Sequence, residues 1–89
     1  MTFKGYWKSI HLFGKSYYIF HIPEFENKYY PDHHFAILPD KRLGYFYIQG
    51  YKLVDEKDVP EDTVKAVKEY MENPFFEIDW KREVEKIRS

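Results

Sequence analysis

The side chains best equipped for chemistry in this chain are its histidines, His11, His21, His33 and His34. Two of them are adjacent. Neighbours on a strand point to opposite faces, so His33 and His34 cannot easily share one ligand. Asp32 and His34 do fall on one face. If the strand ending near His21 pairs with the strand starting at His33, His21 comes close to one of the pair. His21, Asp32 and His34 would then offer ligand types that suit zinc. Their spacing matches no zinc motif, and no metal site is assigned. Without a metal, His21 and His34, with Lys28 and Tyr30, offer the groups a small ribonuclease arranges around a phosphate. Any chain with four histidines offers as much. The serines are Ser9, Ser16 and Ser89, and none stands in a nucleophile elbow. The scattered glycines form no phosphate-binding loop, and no cofactor-binding pattern occurs.

The elements that must position these groups are unusually rich in rings. Nineteen of the 89 residues are Phe, Tyr or Trp, and fifteen of them precede residue 55. Rings favour strands and bring large buried area, and Tyr adds a polar tip suited to interfaces. A chain this short makes one domain with a modest core, 1–89, so large side chains raise the buried area per residue. Part of the excess follows from codon usage, because Phe, Tyr, Ile and Lys all have AT-rich codons. The absence of cysteine removes disulfides, thiol nucleophiles and cysteine zinc sites. With no signal-like N-terminus, a cytoplasmic protein is expected. No uncharged stretch approaches the roughly 20 residues of a spanning helix, so no membrane role is expected.

Charge divides the chain. Residues 1–54 carry seven Lys/Arg against four Asp/Glu, and residues 55–89 carry seven against eleven. A basic sheet part beside an acidic helical part explains this without a ligand. A basic aromatic face for single-stranded nucleic acid is the sharper alternative, using Tyr17, Tyr45, Tyr47, Lys15, Lys41 and Arg42. The ring-bearing signature of RRM domains is missing, and the order of strands first, helices last is not theirs.

Alternation predicts a strand over 3–12. Phe3, Gly5 and Trp7 fall on one face and Ile10 and Leu12 on the other, which suggests a bulge at Lys8-Ser9. A turn at 13–16, with Gly14 at positive φ, leads into a strand over 17–22. Residues 23–32 read as a loop carrying Phe25, Tyr29 and Tyr30. Those rings either fold back or meet a partner. Strands follow over 33–38 and 45–49, and 51–54 continues the pairing after a bend at Gly50. Pro60 suits a helix start, with Val64, Val67 and Met71 on one stripe. A second helix over much of 76–88 places Phe76, Trp80, Val84 and Ile87 on one face.

The expected fold class is therefore α+β: a four- or five-stranded antiparallel β-meander (1–54) followed by two helices (55–89) packed on one sheet face. Two helices cover one face only. Yet Tyr17, Ile19, Phe35, Tyr45 and Tyr47 compete with Tyr18, Phe20, Ala36, Phe46 and Ile48 for it. The second face needs the 23–32 loop, the first strand curling over, a second copy, or another macromolecule. An exposed apolar patch on a soluble domain marks an interaction site.

The series Tyr17-Tyr18-Ile19-Phe20, Pro31-Asp32-His33-His34-Phe35, Val59-Pro60 and Trp80 resembles a small bacterial family of unknown function. That family has a Pro-Pro-His-Phe-His strand, a Leu-Pro helix start and a late tryptophan, and occurs in toxin–antitoxin-style gene pairs. The likeness spans residues 15–82, and this chain reads Pro-Asp-His-His-Phe at the key place. The resemblance implies a β-meander-plus-helix fold and transfers no activity. The expected function is a non-enzymatic protein-interaction module, fitting a regulatory or accessory protein of a phage or mobile element. Its partner is a protein or a second copy forming a homodimer, met through Phe25, Tyr29, Tyr30, Tyr45 and Tyr47. The alternatives are a single-stranded nucleic-acid binder and a small nuclease using His21 and His34.

Overall fold

The computed structural model describes residues 3–25, 33–38, 40 and 42–88. Five strands, β1 (Tyr6–Leu12), β2 (Lys15–His21), β3 (His33–Ile37), β4 (Leu43–Tyr47) and β5 (Lys52–Val54), precede two helices, α1 (Glu61–Glu72) and α2 (Phe75–Arg88). The first four strands form an antiparallel meander, and β5 returns to the free side of β1, giving the order β4-β3-β2-β1-β5. The α+β architecture, with the sheet first and the helices last, is the one the pattern predicts.

The β1–β2 hairpin pairs without interruption from Tyr6↔His21 to Leu12↔Lys15. The predicted bulge at Lys8-Ser9 does not exist. It was needed only if one face were buried, and both are. Trp7 and Phe20 face the helices, where they join Ile22, Phe35 and Ile37 against Val67 and Met71 of α1 and Phe76 and Val84 of α2. Each such burial stabilises the fold by roughly 1.5–3 kcal/mol. Ile10 and Ile19 face the other way, in a second cluster with Ala36, Leu38, Phe46 and Ile48.

Residues 48–51 cover part of that second face. The edge strands β4 and β5 are joined by residues 48–51 alone. A flat sheet would separate them by about 19 Å, four spacings of roughly 4.8 Å. Five Cα steps, fully extended, reach at most about 18 Å. The link is not fully extended either, because Gly50 bends it at φ 75°. The sheet must therefore curl away from the helices. Ile48 is carried onto the concave face, where it packs with Ile19 and Ala36. The predicted continuation of β4 into 51–54 is corrected accordingly: β5 pairs with β1 at the opposite edge.

Helix α1 follows Pro60, with Glu61 and Asp62 at its positive end. It stops at Asn73-Pro74, where proline cannot continue the ladder. Phe76 and Val84 place one stripe of α2 in the core, and Trp80 packs beside them. On the outer surface Lys81 donates to Glu77 at 2.8 Å, the helical pair its spacing predicts. That pair holds the Glu77 carboxyl below its ordinary range.

Candidate functional site

The concave face brings together polar and ring side chains from β1, β2, β3 and the 48–51 link. Lys8 lies mid-strand in β1, on the same face as Tyr6 and Ile10 by alternation. Its side chain is 1% exposed, between the cross-strand neighbours Ile19 and Leu53. Burying an ammonium is costly unless partners replace water. Its Nζ is 2.9 Å from Nδ1 of His34. An ammonium has donors only, so it donates to Nδ1, and the imidazole proton of a neutral His34 sits on Nε2. The Tyr51 ring stands over Nζ at 3.9 Å and the Tyr6 ring at 5.3 Å. Such contacts each contribute about 0.5–2 kcal/mol.

The histidines close the group. His21 and His34 lie edge to face at 4.9 Å between ring centroids, and His21 lies 5.0 Å from Tyr6. His34 meets Tyr51 at 5.7 Å. The β2–β3 pairing thus brings together the two histidines that sequence selects, and His33 points the other way, against Tyr47. Asp32, Lys28, Tyr29, Tyr30 and Lys41 lie outside the described residues. Among the described residues, no group of three His, Cys, Asp or Glu could hold a metal ion.

Acid–base hydrolysis needs a histidine that a phosphate can touch. His21 is fully buried and Lys8 nearly so. His34 is half-buried, and Lys8 lies beneath the rings of Tyr6 and Tyr51, each of which keeps an exposed edge. Sequence reasoning passed over Lys8 by treating it as a bulge residue. The signal was its place in the alternation Tyr6, Lys8, Ile10, Leu12, with every neighbour on that face apolar.

The other sequence-selected rings scatter. Phe25, in the 3₁₀ turn after β2, takes the fold-back course: its ring stacks on Trp80 at 5.1 Å and packs edge-on against Phe35 and Phe3. Tyr45 is half-buried on the helix side, against Phe35. Tyr47 is 58% exposed at the β4 edge. Tyr17 stands opposite Ile10, on the concave side. Tyr17, Tyr45 and Tyr47 therefore do not form one stacking platform. Away from this face, burial and a 2.8 Å hydrogen bond donated to Asp79 push the Tyr70 phenol well above its ordinary value.

The exposed apolar residues instead collect at the β1–β2–β5 end of the concave face. Among the described residues, Tyr6, Leu12, Tyr17, Tyr51 and Leu53 account for five of the nine exposed large hydrophobic residues. No protein-family model, curated protein or solved structure matches the chain. Among the described residues, no helix is long and apolar enough to cross a membrane.

Proposed function

We propose that this chain is a non-enzymatic protein-interaction module, and that it meets its partner through the concave face between the β1–β2 hairpin and β5. The alignment of Tyr6, Leu12, Tyr17, Tyr51 and Leu53 on that face carries the reading. The crossover at 48–51 packs Ile48 on the β2–β3 half of the face and reaches this half only through Tyr51, whose ring lies over Lys8 and stays partly exposed. Large exposed apolar patches on single domains mark association sites, and tyrosine is a preferred anchor there. Lys8 adds preorganisation: rings already held in place lose little freedom when a partner arrives. These residues differ from Phe25, Tyr29, Tyr30, Tyr45 and Tyr47, the set expected from sequence, and the mode of action is the same. Lys15, which pairs with Leu12 on this face, favours a partner surface bearing carboxylates.

A photo-crosslinking residue at Leu53 tests the proposal in the full chain inside its host. The expected result is one saturable protein adduct that Leu12→Asp or Tyr17→Asp abolishes, while far-ultraviolet dichroism stays unchanged. Adducts no stronger than those from the exposed α1 position Lys65 would refute it.

A further inference from the structure

The β1–β2 turn is built against local preference. Leu12 pairs with Lys15, so the loop is two residues, Phe13 and Gly14. Both have positive φ, 53° and 75°. Such a turn suits Asn-Gly, because a left-handed conformation crowds the Cβ of any other side chain. Here the first position is phenylalanine, and its ring is 97% exposed. Leu12 beside it is also exposed. A strained tip that carries two side chains disfavoured by water calls for an apolar medium at that end of the molecule.

Behind the tip lies a pocket whose lining suits an anion. Ser9 and His11 alternate along β1 on the face away from Lys8. Ser16 stands across from His11, and Lys52 across from Ser9. These four, with Gly50 and Tyr51, line a pocket of about 420 Å³, within the usual size of a small-ligand site. The lining offers hydroxyls, an imidazole and an ammonium, and no carboxylate. Charge is polarised along the hairpin as well. Residues 1–23 hold three lysines and no acid, and residues 48–54 hold one lysine and no acid. The acids resume at Asp55, next to Val54, which pairs with Trp7 at the far end of β1. The β3–β4 turn points the same way as the tip, and Arg42 holds its Asp40 at 2.7 Å.

Spacing joins the two features. At about 3.3 Å per residue, the His11–Ser16 pair lies roughly 7 Å behind Phe13 and the Ser9–Lys52 pair roughly 13 Å behind it. Apolar groups docked on a bilayer enter about 5–10 Å into the boundary between headgroups and acyl chains, and the headgroup layer is about 5–7 Å deep. A ring seated at the top of the acyl layer therefore sets the near wall of the pocket among lipid phosphates. Lys15, beside the turn, reaches the same level. A nucleic acid would want neighbouring rings to stack successive bases, and Phe13 stands alone at the tip. A fluid acyl layer accepts such a ring without a preformed pocket.

We infer that the chain docks on an anionic lipid surface through the β1–β2 hairpin, with Phe13 and Leu12 entering the acyl boundary and the pocket of Ser9, His11, Ser16 and Lys52 taking a lipid phosphate. Such docking needs no membrane-spanning helix, and it is independent of the protein-interaction reading.

Flotation of the full chain with vesicles tests this. Vesicles of phosphatidylcholine with about one-third phosphatidylserine are expected to carry the protein, and phosphatidylcholine alone to carry much less, with salt narrowing the difference. Phe13→Asn, which keeps the turn, should weaken binding about ten-fold or more, the loss expected when one large apolar side chain is withheld. Lys52→Gln should weaken it about five-fold. Phe13→Trp should bind at least as well, and its added indole should be quenched by bromine-labelled acyl chains. No binding to the anionic vesicles, equal binding to both kinds, or binding unchanged by Phe13→Asn or by Lys52→Gln overturns the inference. So does an added indole that the labelled chains leave unquenched. Full competition by glycerophosphoserine, which has the headgroup and no acyl chains, overturns it by making the pocket a site for a free phosphate. Capture of a single-stranded oligonucleotide that Phe13→Asn removes, with no vesicle binding, overturns it too.

Discussion

Replacing Phe13 with asparagine should make the isolated chain more stable, not less. The ring is 97% exposed, so its removal forfeits almost no burial. The backbone at φ 53° is the left-handed region, which costs an ordinary side chain about 1–2 kcal/mol. Asparagine enters that region more readily, because its short polar side chain can hydrogen-bond locally. Roughly 1 kcal/mol of strain should be relieved, which for a domain of this size raises Tm by about 4–8 °C. Urea denaturation followed by tryptophan fluorescence, at dilutions where the chain is monomeric, measures it. The midpoint should rise with the slope unchanged, since the surface exposed on unfolding stays the same. Gly14→Ala serves as the opposite control. It places a methyl at φ 75° and should destabilise by about 1 kcal/mol, although nothing lies within 4 Å of the added carbon. An unchanged or lower midpoint for Phe13→Asn in the dilute monomer would mean that the ring is packed in solution. The strain argument would then fail.

Three further outcomes follow from the packing. Lys8→Met keeps the buried stem and removes the ammonium, so urea denaturation should show a change within about 1 kcal/mol, whereas Lys8→Ala opens a cavity and should cost about 2–4 kcal/mol. At Gly5 an added methyl meets the His21 carbonyl oxygen and the Phe20 ring, so Gly5→Ala should lower thermal stability by about 1–3 kcal/mol. The folded state holds the Tyr70 proton more tightly than the unfolded chain, whose phenol titrates near 10.0. That contribution is intact below pH 10 and lost as pH rises through the folded value; Tyr70→Phe should therefore lose less stability than wild type in alkaline urea titrations.

The layout was legible because each signal was local. Alternation in Lys15–His21, glycine in the hairpin turn and Pro60 ahead of the Val64, Val67, Met71 stripe mark their elements independently of the rest of the chain. The pairing partner of β5 was not legible. Lys52–Val54 is too short to show on which strand it lies, and its return to β1 follows only from the curl of the whole sheet. The same non-local fact hid the site. Lys8 reads as a surface lysine until the 48–51 crossover brings Tyr51 above it and β3 brings His34 beside it. His21 and His34 could be paired in advance because antiparallel neighbours place them together. Their burial beneath Tyr6 and Tyr51 could not be foreseen from spacing.

The curl also explains why rings occupy both faces of the strands. A sheet that bends around its own crossover has an inner face too narrow for helices, and only a few residues of backbone enter it. Filling that space falls to side chains from the strands and the crossover: Ile10, Ile19, Phe46 and Ile48 toward the crossover end, and the edge-to-face rings of His21 and His34 toward β1. The outer face, by contrast, is filled from α1 and α2. The β1–β5 end receives only the Tyr51 ring of the crossover, over Lys8, and no helix. Its apolar residues therefore cannot be charged to the core, and neither can Phe13, which touches no core at all. The excess of rings over what packing consumes is located there, and an explanation of this chain's activity has to begin at that end of the sheet.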